Sequence, residues 1–145
     1  MMTEISLNVL DVSENSTRAG ASLVTILVTA DTSADKLTIV IADNGCGMTP
    51  EQAAHVTDPF FTTRTTRKVG LGIPFFKYAA ESTGGSFHIE SEPGKGTTVT
   101  AVFGLSHIDR MPLGDMNATI HNLIVYHPDT DFLYTYTYND ASFTL

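Results

Sequence analysis

The chain has 145 residues, of which 42% are hydrophobic and 17% charged, with a formal net charge of −8. That length suits one domain with a sizeable core, and the acid excess excludes a broad nucleic-acid-binding surface, which needs a basic footprint. No apolar run approaches the roughly 20 residues that span a bilayer. The start, Met1-Met2-Thr3-Glu4, reads as lacking the basic-then-apolar pattern of a leader, and Cys46 as sole cysteine fits a reducing compartment such as the cytoplasm.

Residues 3–18 predict a helix, with Ile5, Val9 and Val12 on one stripe, Leu7 and Leu10 flanking it, and Gly20 as the stop. Ser22–Ala30 and Lys36–Asp43 are apolar and β-branched and predict a hairpin. Thr49-Pro50-Glu51 opens a short helix ending near Val56, with Thr as N-cap, Pro at the first position and an acid in the first turn. Asp58-Pro59-Phe60-Phe61 is expected to be irregular, and the polar, basic Thr62–Val69 to be a mobile loop. Leu71–Ser82 predicts a second long helix, with Pro74 tolerated in its first turn and Gly84-Gly85 closing it. Ser86–Ser91 and Thr97–Phe103 predict strands around Glu92-Pro93-Gly94-Lys95-Gly96. Residues 113–126 predict a helix, and Phe132–Tyr138 with Ser142–Leu145 a closing hairpin around Asn139-Asp140.

Three constellations carry chemistry. Asp43 ends an apolar strand and is followed closely by Gly45 and Gly47. A carboxylate there can accept from an exocyclic amine while the glycines let backbone approach a flat ring, which suits adenine; the same residues also suit a plain turn. Gly70-Leu71-Gly72 opens a helix whose free N–H groups make an anion site, and Arg64, Arg67 and Lys68 stand just before it, ready for phosphates. A solvated loop before an ordinary helix start is the alternative. Asp11 and Asn15 are four apart and share one helix face, either as ligands or as the solvated side of an amphipathic helix.

The order of these pieces resembles the ATPase fold shared by gyrase, Hsp90, sensor histidine kinases and MutL, over roughly residues 3–104. Asp11-Val12-Ser13-Glu14-Asn15 resembles that family's N box. Asp43, Gly45 and Gly47 resemble its first glycine box, and Asp58-Pro59-Phe60-Phe61-Thr62-Thr63 the phenylalanine box of short-lid histidine kinases. Gly70-Leu71-Gly72 resembles the second glycine box and Gly96-Thr97-Thr98 the third. The resemblance implies ATP and Mg2+ as cofactors and Asn15 as the metal ligand. It places Asp11 where family ATPases carry the base that orients water. It also implies adenine contacts from Asp43, Gly45 and Gly47, phosphate contacts from Arg64, Arg67, Lys68, Gly70, Leu71 and Gly72, and a hydrogen bond near adenine from Thr97 or Thr98.

The expected fold is an α+β two-layer sandwich. A mixed, mostly antiparallel sheet of about four strands, with the C-terminal hairpin as an addition, is covered on one face by three helices. Residues 1–105 form the ATP-binding unit and 106–145 an extension packed on it. The expected function is binding of Mg·ATP with phosphotransfer or hydrolysis toward a protein partner in signalling; the rival is a nucleotide-gated protein-binding switch. A protein partner or phosphoacceptor and a homodimer are expected, nucleic acid and membrane insertion are not. Ser106-His107-Ile108-Asp109-Arg110-Met111-Pro112-Leu113 partly resembles a kinase phosphoacceptor box, but the acid that should follow the histidine is displaced to Asp109. His107 is therefore expected to be a surface or capping residue.

Overall fold

The computed structural model describes residues 4–56, 72–107, 110, 112–139 and 141–144. Helix α1 (Ile5–Arg18) buries Ile5, Val9 and Val12, and Ser16 completes their stripe. Glu4 sits at its N-cap without a side-chain cap; instead the Ile5 and Ser6 N–H groups donate to the carbonyls of Pro112 (2.9 Å) and Leu113 (2.8 Å). The C-terminal segment thus satisfies N–H groups that a helix start leaves unpaired.

Strands β1 (Leu23–Asp31) and β2 (Lys36–Asp43) pair antiparallel, from Asp31 opposite Lys36 to Val24 opposite Asp43. Asp31 Oδ1 holds the turn by accepting from the N–H groups of Ser33 and Ala34. Helix α2 (Pro50–Val56) starts with a reciprocal capping box: Gln52 N–H donates to Thr49 Oγ1, and Thr49 N–H to Gln52 Oε1. Helix α3 (Gly72–Glu81) leads to β3 (Ser86–Glu92) and β4 (Gly96–Gly104). Helix α4 (Met116–Tyr126), β5 (Asp131–Tyr138) and β6 (Ala141–Thr144) complete the chain.

One six-stranded sheet has the order β3-β4-β2-β1-β5-β6. All its neighbours are antiparallel except β5, which runs parallel to β1. The mixed, mostly antiparallel α+β sheet is as the sequence predicts, and the hairpin is part of the sheet itself. Alternation points Val24, Ile26, Val28, Leu37, Ile39, Ile41, Val99, Ala101 and Phe103 to one face, where they are buried. Helices α1, α3 and α4 supply the opposing layer through Val9, Phe76, Ile120 and Leu123 among others. Phe76 meets Phe87 edge-on at 6.2 Å and lies 5.9 Å from Phe103.

The tail helix begins at Met116, three residues later than the pattern predicts. Gly114 takes φ +83°, and Asp115 then caps the helix by accepting from Ala118 N–H at 2.9 Å. Residues 127–131 are stitched to α1 and the loop after it. His127 Nε2 lies 2.7 Å from Glu14 Oε1, Thr130 Oγ1 donates to the Ala21 carbonyl, and Asp131 N–H donates to the Ser22 carbonyl. Among the described residues no helix is long and apolar enough to cross a membrane.

Candidate functional site

Asp43, half-buried at the end of β2, is held from two sides. Ser16 Oγ donates to its Oδ2 at 2.7 Å, and Gly45 N–H donates to its Oδ1 at 2.8 Å. A carboxylate accepts up to about four hydrogen bonds, so each oxygen keeps capacity for a further donor while its orientation is set. The loop after it is equally constrained. Cys46 N–H donates to the Ala19 carbonyl at 2.9 Å, and the Cys46 carbonyl accepts from Gly94 N–H at 2.7 Å. Asn44 Oδ1 accepts from the N–H groups of Ser22 and Leu23.

Two glycines are sterically required here. At Gly47, φ is +72° and a Cβ would stand 2.0 Å from the Glu92 carbonyl oxygen. At Gly96, φ is +126° and a Cβ would stand 2.0 Å from the Asp43 carbonyl oxygen. The first and third glycine segments thus touch each other's neighbours, which brings Asp43 and the β3–β4 turn together.

Thr97 stands directly opposite Asp43 across β4 and β2, and Ser91 stands opposite Thr97 across β3 and β4. The Ser91 and Thr97 hydroxyls are 2.7 Å apart, and Ser91 Oγ also accepts from Met48 N–H at 2.8 Å. Asp43, Thr97 and Ser91 form a polar row on the helix side of the sheet, beside a cleft of ≈ 300 Å³. Thr98 borders the same cleft but pairs with Ala42. Strand alternation puts it on the face opposite Thr97.

Helix α1 continues the site away from this row. Asn15 precedes Ser16, and Asp11 lies one turn earlier. Asn15 Oδ1 accepts from Arg18 Nη2 at 3.0 Å on the exposed side. Asp11 is partly buried, and burial pushes its carboxyl above the usual range; Arg18 pulls it back down and Glu14 adds to the rise.

The structure therefore brings Asp11, Asn15, Asp43, Gly45, Gly47 and Thr97 to one end of the sheet and the adjoining helix, with Gly72 opening α3 beside α1. Arg64, Arg67, Lys68, Gly70 and Leu71, the Phe60-Phe61 pair and the Thr62–Val69 loop lie outside the described residues. His107 is at the other end. β4 carries Thr97 beside Asp43 and ends at Gly104 opposite Lys36, and His107 N–H donates back to the Gly104 carbonyl. Among the described residues no three His, Cys, Asp or Glu side chains gather as a metal cage.

The motif reading missed Ser16, Ser91 and Arg18. Ser16 was findable: a serine on the stripe of Ile5, Val9 and Val12 points into the core and needs a partner. Ser91 and Arg18 carry no comparable local signal.

The donor set fits magnesium. Asn15 supplies a hard oxygen at the exposed edge of the site, now shared with Arg18. Magnesium commonly takes only one or two protein oxygens and fills its shell with phosphate oxygens and water. Asn15 would hold it, and the ion would supply neutralisation of phosphate charge.

Residues 1–107 match the family model described as histidine kinase-, DNA gyrase B-, and HSP90-like ATPase. The sensor protein SrrB of Staphylococcus aureus is 33% identical over 102 residues, which span 67% of this chain and 17% of that protein. The chain thus corresponds to about a sixth of this curated relative. Two solved structures share the fold. The N-terminal domain of a DNA repair protein aligns with a TM-score of 0.67 at 14% identity, over 99% of this chain and 52% of that one. Full-length ShkA in complex with AMPPNP aligns with a TM-score of 0.54 at 21% identity, over 67% of this chain and 20% of that one. The first alignment extends over α4 and the C-terminal hairpin as well.

Proposed function

The chain belongs to the histidine kinase-, DNA gyrase B-, and HSP90-like ATPase family, and for this ATP-binding module we propose that it takes Mg·ATP and delivers the γ-phosphoryl to a protein acceptor or to water. The observation that supports this most is the Asp43 carboxylate, fixed by Ser16 and Gly45 with lone pairs to spare for an adenine amine. From that anchor, α1 presents Asn15 and then Asp11 in sequence, a rise of about 1.5 Å per residue along the axis. In this reading Asn15 holds magnesium against the phosphates, and Asp11 accepts a hydrogen bond from the attacking hydroxyl or water. Arg18, with Arg64, Arg67 and Lys68, supplies positive charge. Phosphoryl transfer asks mostly for positioning and electrostatics, which is what this set provides.

Residues 1–105 serve as the ATP-binding unit and 106–145 as an extension that caps α1. The acceptor is a protein in a signalling route of the cytoplasm, with a homodimer as the working assembly. One observation favours the rival reading of a nucleotide-gated switch. Arg18 occupies the Asn15 oxygen, so loading metal there displaces a cation, and Glu14, beside Asn15, is tied to His127 of the extension. Nucleotide could in this way alter a partner surface without turnover. Release of ADP by purified protein, measured alone and with co-purifying proteins, separates the two. Binding of ATP without ADP release under either condition favours the switch; absence of nucleotide binding sinks both.

A further inference from the structure

Asn8 is fully buried in α1, at 0% exposure. Among the described residues neither its Oδ1 nor its Nδ2 has a hydrogen-bond partner. Native proteins hold few such groups, because an unpaired buried amide forgoes the bonds it had with water. Its helix neighbours Ile5, Val9 and Val12 belong to the apolar core that Ile73 and Phe76 of α3 also join. An apolar residue of similar size would suit that environment better.

Its position on the helix is informative. Asn8, Asp11 and Asn15 follow the i, i+3, i+7 pattern and form one stripe. Asn8 is its fully buried member, and Asp11 and Asn15 are partly buried. Residues three apart on a helix have Cβ atoms about 5–6 Å from each other, a separation that a carboxamide and a carboxylate can span with one hydrogen bond. In the free protein Asp11 is partly exposed and water can solvate it. Its cationic neighbour Arg18 is engaged with Asn15. A polyphosphate lying against this stripe would displace water and bring like charge to the carboxylate. A donor on its protected side then gains value.

We propose that Asn8 is a positioning residue for Asp11 in the triphosphate-loaded protein, its Nδ2–H donating to the Asp11 carboxylate once the polyphosphate lies beside it. This rests on the placement of the phosphates along α1 given above. The amide is idle in the free fold and paired in the loaded one. It therefore acts on triphosphate more than on diphosphate, and only through Asp11.

The test is calorimetric titration of wild type, Asn8→Leu, Asp11→Ala and the double variant with ADP and with a non-hydrolysable ATP analogue, alongside thermal unfolding without nucleotide. Asn8→Leu is expected to melt at or above wild type, to keep its ADP affinity within about twofold, and to bind the analogue about tenfold more weakly or worse. In the Asp11→Ala background, Asn8→Leu should change nothing further. Unchanged analogue affinity, equal losses for both nucleotides, or a loss undiminished without Asp11 overturns the inference and leaves the functional reading intact. Wild type that binds neither nucleotide overturns the functional reading and the inference with it. If Asn8→Leu does not fold, the smaller Asn8→Val carries the same comparisons; if both fold but melt well below wild type, the amide is paired in the free protein and the inference fails.

Discussion

Ser16 Oγ donates to Asp43 Oδ2 at 2.7 Å, joining α1 to the end of β2 across 27 residues of sequence. Gly45 N–H takes the other oxygen. The carboxylate is thereby oriented by the same helix that carries Asn15 and Asp11, so in the proposed function base recognition and phosphate handling would share one helix.

Asp43→Asn should weaken ATP and ADP alike. It removes a charged acceptor, worth roughly 1.5–3 kcal/mol, or about 10- to 150-fold in affinity. Ser16→Ala leaves the acceptor but loosens it, and should cost less than about tenfold. Calorimetry on both variants checks the order; unchanged affinity in Asp43→Asn would take adenine recognition away from this residue.

Asn15→Ala should abolish most of the magnesium dependence of ATP binding and leave nucleoside binding nearly unchanged. Its amide oxygen is the proposed metal ligand, and Arg18 already marks it as an available acceptor. Titrations with and without magnesium decide the point: the same metal-dependent factor in variant and wild type refutes the assignment.

Gly47→Ala should lower stability and nucleotide affinity together. The residue has φ +72°, and a Cβ would lie 2.0 Å from the Glu92 carbonyl oxygen. Positive φ alone costs of order 1–3 kcal/mol, and the clash forces the loop away from the β3–β4 turn. Chemical denaturation with a midpoint equal to wild type would show that the loop relaxes freely.

Asp11→Asn should raise thermal stability at neutral pH. Burial lifts the Asp11 carboxyl above its ordinary value, so the folded state binds this proton more tightly than the unfolded chain does. The favourable contribution is full below the unfolded value and is lost as pH rises through the folded one. Above both, the charged carboxylate is a net cost that the amide avoids. Melting curves should show the gain at pH 7 shrinking toward acid pH; a gain constant with pH would assign it to something other than ionisation.

His107 should not accept phosphate from its own chain's site. From Thr97, opposite Asp43, to Gly104 there are seven steps of strand, about 23 Å, and His107 lies beyond. In-line transfer needs contact distance. Incubation with γ-labelled ATP over a range of protein concentrations tests this: acid-labile label that is independent of dilution and absent from His107→Ala would overturn it.

The elements were legible because their signals are local. The stripe of Ile5, Val9 and Val12, the Thr49-Pro50 helix start, and the β-branched alternation of Lys36–Asp43 each lie within one element and match the observed bounds to within a few residues. Among the elements the tail helix shifted most, starting three residues late where Gly114 and Asp115 act against the apolar period. Asp43, Gly47 and Gly96 were legible for the same reason: the acid ends a strand, and the two glycines stand where backbones approach closely.

What tertiary structure decided are relations between distant residues. Sequence names Thr97 and Thr98 equally; the register that sets Thr97 opposite Asp43 separates them. It names His107 as a motif; β4, running away from Thr97, sets His107 at the far end of that strand from Asp43. It cannot say that β5 lies parallel on β1 as part of one sheet, nor that His127 meets Glu14 across 113 residues. Turn chemistry and periodicity are properties of a few neighbouring side chains, whereas strand order and register follow from burying all the apolar faces at once.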